Sequence, residues 1–180
     1  AFRRHEAQSL APWLKAAGYR TSLVGKYLNA YAHGAGEAYV PPGWDDWFGH
    51  LTATEDGRFY DYWVNDNGNV SRYGSKPEEY SADVETKRAV KFIRDSAGRS
   101  EPLFLWLGPQ APHVPSTYSE RHGADFRNSG APRVPSFNEG DVSAKPSWVR
   151  QTSYMTDPQI DDADRLSLAP SSASIHCRCC

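Results

Sequence analysis

Two stretches of the chain repeat small or apolar residues at the three-to-four-residue spacing that places them on one face of a helix. The first stretch has these residues at Leu10, Trp13, Leu14 and Ala17. The second has them at Ala82, Thr86, Ala89, Ile93 and Ala97. A serine that can cap a helix precedes each stretch, at Ser9 and Ser81, and a glycine follows it. The pattern therefore predicts two amphipathic helices.

Three shorter segments have the length and composition of strands. Residues 19–24 are apolar and β-branched, and residues 103–107 form a continuous apolar run, which is typical of a strand buried on both faces of a parallel sheet. Residues 58–64 alternate in polarity, and an Asn-Gly turn separates them from residues 69–73. We therefore predict an α/β fold with a mostly parallel sheet, interrupted at residues 30–78 by an aromatic-rich loop and a β-hairpin excursion.

Composition changes the expected kind of core. Leu, Ile, Val and Phe together make up only 30 of 180 residues, whereas Trp and Tyr number six and ten. Each aromatic ring can bury on the order of 150–250 Å², so the core should be rich in aromatic side chains. The net charge of −2 provides no basic surface for nucleic acid. The longest apolar run is far shorter than the ~20 residues of a membrane-spanning helix.

The two ends of the chain carry few structural signals. The opening residues lack the apolar segment of a signal peptide, and we expect residues 1–165 to be part of one domain that is incomplete at both ends. Residues 166–180 are rich in Ser and then Cys, and we expect an irregular, unstructured tail. His176 and the three cysteines are too close together in the tail to supply four tetrahedral metal ligands.

Candidate chemistry lies where two predicted strands end. Ligands of open α/β sheets bind beyond the carboxyl ends of the strands, and Lys26 and His113 follow two such ends. An ammonium group suits a tetrahedral oxyanion, and an imidazole can transfer a proton near neutral pH. Each residue taken alone also fits an ordinary solvated side chain.

Other groups fit structural roles at least as well as functional ones. The tryptophans at Trp44, Trp47 and Trp63 could stack on a sugar, but in a chain with few leucines they are more often core residues. The carboxylate pairs at 45–46 and 161–162 could bind a hard cation, but such pairs in loops are usually solvated.

Four motifs in this order resemble the sulfatase family. They are Gly-Lys-Tyr-Leu-Asn at 25–29, Val-Pro-Pro-Gly-Trp-Asp-Asp-Trp at 40–47, Arg-Phe-Tyr-Asp-Tyr at 58–62 and Ala-Pro-His-Val-Pro at 111–115. The resemblance covers about residues 7–150 and is closest to the N-acetylglucosamine-6-sulfatase and heparan endosulfatase branch. It implies a partial alkaline-phosphatase-like sandwich that hydrolyses sulfate esters of a sulfated carbohydrate or an aryl alcohol.

The resemblance also implies roles for individual residues. Lys26 matches the lysine that contacts the sulfate, His113 matches the histidine beside the bridging ester oxygen, and Asn29 is a further polar contact with the substrate. Family members use a formylglycine nucleophile and bound Ca²⁺. The Cys/Ser-x-Pro-x-Arg motif that yields formylglycine is not found, because Ser75-Lys76-Pro77 is followed by Glu78-Glu79, with Glu79 in the place of the arginine. The family's calcium ligands are not found either. We therefore expect this chain alone to be inactive.

Two alternatives stay open at this point. One is a phosphodiester or phosphonate hydrolase of the same superfamily, which would differ in its nucleophile and metal ligands. The other is a non-catalytic glycan-binding module built on the tryptophan-rich loop.

Overall fold

A computed structural model of the chain describes residues 2–51, 59–113, 117–122, 130 and 132–164. Five strands and three α-helices with both ends described lie within them, and a further helical stretch runs over residues 157–164. The helices are α1 (Leu10–Ala16), α2 (Ser81–Ser96) and α3 (Ser147–Arg150), and the strands are β1 (Arg20–Gly25), β2 (Asp46–Leu51), β3 (Trp63–Asp66), β4 (Asn69–Arg72) and β5 (Leu103–Gly108). Short 3-10 helices cover Phe2–Gln8, Pro77–Glu79 and Glu120–His122.

The five strands form one sheet in the order β4-β3-β2-β1-β5. Strand β1 is parallel to both of its neighbours, with Gly25 opposite Gly49 of β2 and Gly108 of β5. Strands β3 and β4 add an antiparallel hairpin beside β2. The carboxyl ends of β2, β1 and β5 therefore meet at the same edge of the sheet, which is called the carboxyl edge below.

Helix α2 covers one face of the sheet. A buried apolar cluster joins the two layers, and its members are Val24, Phe48, Tyr62, Val64 and Ala89. The helix runs from the carboxyl edge to the opposite edge, because the guanidinium of Arg20 at the start of β1 donates to the Ser96 hydroxyl at the helix end. The predicted strand-helix-strand crossover and the α/β class are thus confirmed.

Aromatic rings cover the other face near β1. Tyr27 makes edge contacts with Trp47 and Trp106, with ring centroids 5.2 and 6.3 Å apart. Trp47 is fully buried, which makes it a core residue, and Trp63 is 40% exposed on the hairpin. Since Trp47 is inaccessible, Trp44, Trp47 and Trp63 do not form a shared sugar-stacking platform. The prediction of a core rich in aromatic side chains is confirmed.

Strand β5 differs from its prediction. Its apolar run predicted burial on both faces, yet Leu103, Trp106 and Leu107 are 42%, 40% and 42% exposed. The reason is its place in the sheet, because β5 is an edge strand with β1 as its one neighbour in the described structure. An apolar run thus indicated the strand correctly but not its burial.

Three further predictions need correction in detail. The ribbon is present, but its first strand begins at Trp63 rather than at residue 58. Strand β2 lies in the region expected to be irregular apart from the ribbon. Ser9 is the N-cap residue of α1, as predicted, but its hydroxyl donates to the Glu6 carbonyl instead of accepting from the helix. Ser81 does not cap α2, because it is already the first residue of that helix.

The buried side of α2 is also rotated from the predicted stripe. Ile93 is 46% exposed, whereas Glu85 and Phe92 are buried.

Within the described residues no helix is long and apolar enough to cross a membrane. The predicted tail at 166–180, with its cysteines, lies outside the described residues.

Candidate functional site

The candidate site is built on the carboxyl ends of β1 and β5. Gly25 and Gly108 are register partners, and the Lys26 backbone N–H donates to the Gly108 carbonyl at 2.7 Å. Lys26 is partly exposed, and Asn29 is exposed in the loop that follows. This hydrogen bond extends the parallel pairing one residue beyond the strands, so it fixes the start of the Lys26 segment.

Gly25 has to be a glycine for two reasons. Its φ is +100°, a left-handed conformation that other residues rarely adopt. A Cβ atom at this position would also lie 2.3 Å from the Gly108 carbonyl oxygen. The close approach of β1 and β5 at their carboxyl ends therefore depends on the Gly-Lys sequence that carries the candidate lysine.

His113 lies in the loop that leaves β5 at the same edge. Its backbone N–H donates to the Gln110 carbonyl at 2.8 Å, which closes a tight turn, and its side chain is exposed. Gln110 itself is 3% exposed, and its side-chain Nε2 has no hydrogen-bond partner among the described residues. The two segments predicted to carry site residues thus leave adjacent parallel strands at one edge.

A buried polar cluster that the sequence did not indicate lies beneath this edge. His50, near the end of β2, approaches Glu85 of α2 with 3.3 Å between Nδ1 and Oε1, and both side chains are 1% exposed. The Tyr62 ring stacks on the His50 ring at a centroid distance of 4.7 Å. One signal for Glu85 was available, since it lies three residues after Ala82 and four before Ala89 on the predicted apolar face.

Burial dominates the ionisation of this cluster. Desolvation raises the pKa of Glu85 above its ordinary value, and the contact with His50 offsets part of that rise. Desolvation, followed by the nearby Glu85 charge, also raises the pKa of Tyr62. Neither Oε2 of Glu85 nor the Tyr62 hydroxyl has a hydrogen-bond partner among the described residues.

The carboxylate pairs at 45–46 and 161–162 were considered above as cation ligands. The structure pairs the first with cationic side chains and leaves the second exposed. Asp45 is paired with Lys15; burial opposes its ionisation, but hydrogen bonds from Lys15 and Thr21 hold its pKa below the usual range. Asp46 accepts from Arg88 at 2.5 Å. The 161–162 pair is exposed.

The described residues contain no group of three or more His, Cys, Asp or Glu that could hold a metal ion. The calcium implied by the motif resemblance therefore has no ligand set among the residues that the structure describes. The chemistry that these residues can supply is a cation from Lys26 and a proton donor or acceptor from His113.

Comparison with known proteins decides the family. The Sulfatase family model matches residues 2–163. The chain belongs to the sulfatase family. An extracellular sulfatase Sulf-1 homologue of Caenorhabditis elegans is 34% identical over 165 residues, which are 90% of this chain and 22% of that protein. The N-acetylglucosamine-6-sulfatase of Capra hircus is 33% identical over 124 residues, 67% of this chain and 22% of that enzyme.

Solved sulfatase structures agree with the fold. The structure of BT4656 in complex with its substrate D-glucosamine-2-N,6-O-disulfate has 26% identity and a TM-score of 0.53, and the match covers 69% of this chain and 23% of that one. A complex of Ps i-CgsB with a neocarrahexaose has 19% identity and a TM-score of 0.51, covering 67% of this chain and 30% of that one, and supports the fold alone. This sulfatase chain spans about a fifth of the length of these two curated relatives.

Proposed function

We propose that this chain is the part of a sulfatase catalytic domain that holds the sulfate group of a sulfate ester, and that Lys26 and His113 are the residues that do so. The observation that carries the proposal is that β1 and β5 are parallel neighbours whose carboxyl ends are in register at Gly25 and Gly108. The segments that follow these strands start at the same edge of the sheet, although Lys26 and His113 are 87 positions apart in sequence. Sulfatase family membership supports the choice of anion.

The two side chains would contribute different chemistry. The Lys26 ammonium is a compact positive charge that stabilises the negative oxygens of the sulfate, most strongly as charge develops during S–O cleavage. The His113 imidazolium would donate a proton to the bridging oxygen as it departs, so that the alcohol leaves neutral and the imidazole is left uncharged. Asn29 would add a hydrogen bond to the substrate from the segment that carries Lys26.

The nucleophile and the metal of a complete sulfatase do not come from the residues described here. The chain has no Cys/Ser-x-Pro-x-Arg motif for formylglycine, and the described residues have no calcium ligand set. We therefore propose that the 180-residue chain binds sulfate esters without hydrolysing them. In an assay with an aryl sulfate and added Ca²⁺ we expect no turnover, and measurable release of the phenol would contradict this.

We propose a sulfated glucosamine unit as the substrate class. The relatives that support this choice are the N-acetylglucosamine-6-sulfatase of Capra hircus and BT4656, whose structure contains a disulfated glucosamine as its substrate. The phosphoester and glycan-module alternatives have weaker support, because the family is the sulfatases and because Trp47 is inaccessible.

Binding to this chain can be tested directly by nuclear magnetic resonance. We expect both glucosamine 6-sulfate and inorganic sulfate to shift the Lys26 and His113 side-chain signals. For each ligand, the two signals should give the same Kd. The K26A and H113A substitutions should each weaken binding by about tenfold, as expected when one charge-assisted contact worth roughly 1.5 kcal/mol is removed.

Matched controls are available for both substitutions. Lys87 and His33 are exposed residues elsewhere on the chain, and K87A and H33A should leave the sulfate affinity unchanged. Equal loss of affinity in K26A and K87A would show that binding is a non-specific charge effect and would refute the assignment of Lys26.

A further inference from the structure

The His50–Glu85 pair has no part in the proposed sulfate contacts, yet it lies next to the segment that carries one of them. It is also the most deeply buried pair of oppositely ionisable side chains in the described structure. Both of its side chains are 1% exposed, whereas each partner in the other described pairs is at least 11% exposed. This burial needs an explanation, since two ionisable groups have been removed from water together.

The Glu85 carboxyl group packs against the turn before Lys26. A Cβ atom on Gly25 would lie 3.4 Å from Glu85 Oε1 and 2.3 Å from the Gly108 carbonyl oxygen. The Lys26 N–H donates to that same Gly108 oxygen at 2.7 Å. The peptide that sets the direction of Lys26 is therefore bonded to β5 and also packs against Glu85.

An apolar side chain would fill this space at a lower free-energy cost. Glu85 Oε2 has no hydrogen-bond partner among the described residues, and leaving a buried polar atom unpaired is unfavourable. His50 partners the other oxygen, and the stacked Tyr62 ring limits how far the imidazole can turn. Costly buried groups of this kind are concentrated at functional sites.

We propose that Glu85, held by His50, is a positioning residue for Lys26. Its carboxyl group fixes the Gly25 turn, and this turn directs the ammonium towards the sulfate. The inference deepens the proposed function and rests on it, because sulfate is the ligand that a positioned Lys26 would hold.

The test uses two replacements of the pair in the 180-residue chain. E85Q keeps the size of the side chain and removes its charge, and H50L/E85L replaces the pair by apolar groups, a change that often preserves or raises stability. We expect hydrogen exchange of the Lys26 amide to become about tenfold faster in both variants because the turn opens more easily. The affinity for inorganic sulfate should fall about fivefold.

The matched control lies on the same helix at its far end. Ser96 is 6% exposed and bonds to Arg20 at the opposite edge of the sheet. S96A should lower the free energy of unfolding but leave Lys26 exchange and sulfate affinity unchanged. This pattern separates a positioning role from a general loss of stability.

Two results would contradict the inference or the proposed function on which it rests. If H50L/E85L folds and keeps both wild-type exchange at Lys26 and wild-type sulfate affinity, Glu85 only fills space and the inference is wrong. If H50L/E85L does not fold, the same two measurements on E85Q decide. If K26A itself leaves sulfate binding unchanged, the proposed function fails instead, while the exchange measurement still tests the contact between Glu85 and the turn.

Discussion

The two ends of strand β1 show how differently one strand can use polar groups. At the amino end, the Thr21 backbone N–H and hydroxyl both donate to Asp45, at 3.0 and 3.2 Å, and Arg20 donates to Ser96. Lys15 completes this arrangement by pairing with Asp45. Every one of these polar groups has its partner inside the chain, as expected for groups whose role is to hold the fold together.

At the carboxyl end, polar groups are buried without that completeness. Two buried side chains at this end each have a polar atom without a partner among the described residues: Glu85, which packs against the Gly25 turn, and Gln110, which lies two residues after β5. Gly25 and Lys26 lie beside them with an exposed loop on one side. The polar groups named at the amino end are therefore all paired, whereas Glu85 at the carboxyl end keeps an unpaired oxygen next to the turn that carries Lys26, which is unused hydrogen-bonding capacity of the kind found at binding sites.

The largest expected effect is on catalysis at the carboxyl end. In a full-length sulfatase that contains this segment, K26A should lower kcat/KM by roughly 10²- to 10³-fold, because one preorganised contact to a developing anion is worth about 3–4 kcal/mol. The matched variant K87A should keep the wild-type rate. A K26A enzyme with wild-type kinetics would show that Lys26 is only solvated.

The amino end should respond in stability and not in binding. D45A leaves the buried Thr21 N–H without its acceptor, so the free energy of unfolding should fall by about 1–3 kcal/mol. Urea unfolding measures that change, and the sulfate affinity of the folded variant should equal that of the wild type. A loss of sulfate affinity in folded D45A would remove the functional distinction between the two ends.

Stability should also depend on pH through Glu85. Burial raises its pKa in the folded state, so its contribution is fully present below the ordinary value of 4.5 and is lost as the pH rises through the raised pKa. The free energy of unfolding should therefore fall over that window in the wild type and show a smaller fall in E85Q. Urea unfolding at a series of pH values tests this.

Glu79 provides a control of opposite sign. Hydrogen bonds from the backbone N–H groups of Gly74 and Lys76 lower the pKa of Glu79 in the folded state. The contribution of Glu79 to the free energy of unfolding is therefore lost as the pH falls through this lowered pKa. E79Q should therefore flatten the acid side of the stability curve and leave the change assigned to Glu85 in place. An identical pH profile for E85Q and the wild type would contradict the assignment.

The smallest effect is expected for an exposed pair far from the site. Lys91 and Asp95 are four residues apart on α2, with side chains 65% and 46% exposed. Water and salt screen such exposed pairs, so K91A should change the urea midpoint only slightly. A shift as large as that of D45A would show that surface charge, rather than the buried joint, determines stability.

The sequence predicted the elements whose signal is local. Helix α1 and the hairpin turn lie where the apolar spacing and the Asn-Gly pair predict them, and the Gly-Lys and Pro-His motifs indicated the strand ends that carry the site. The predicted apolar face of α1 is wrong, because Leu10 and Trp13 are 48% and 61% exposed and Ala11 is the buried residue. Strand β2 was missed because its six residues include a glycine and have no alternating pattern. Its identity as a strand depends on pairing with β1 and β3.

Burial could not be predicted from periodicity alone. Strand β5 has the most apolar run of the chain but lies at the sheet edge, and Glu85 is charged but lies under the sheet. Both outcomes depend on which element packs on which, a property of the whole fold. The contact between Glu85 and the Gly25 turn joins residues 60 positions apart and leaves no local signal.

The most direct test of the central claim is a double-mutant cycle on sulfate binding with K26A, H113A and K26A/H113A. If the two side chains contact one anion, the two losses of binding free energy should be non-additive by at least about 0.5 kcal/mol. Additive losses within about 0.3 kcal/mol would place Lys26 and His113 at independent positions and contradict the account.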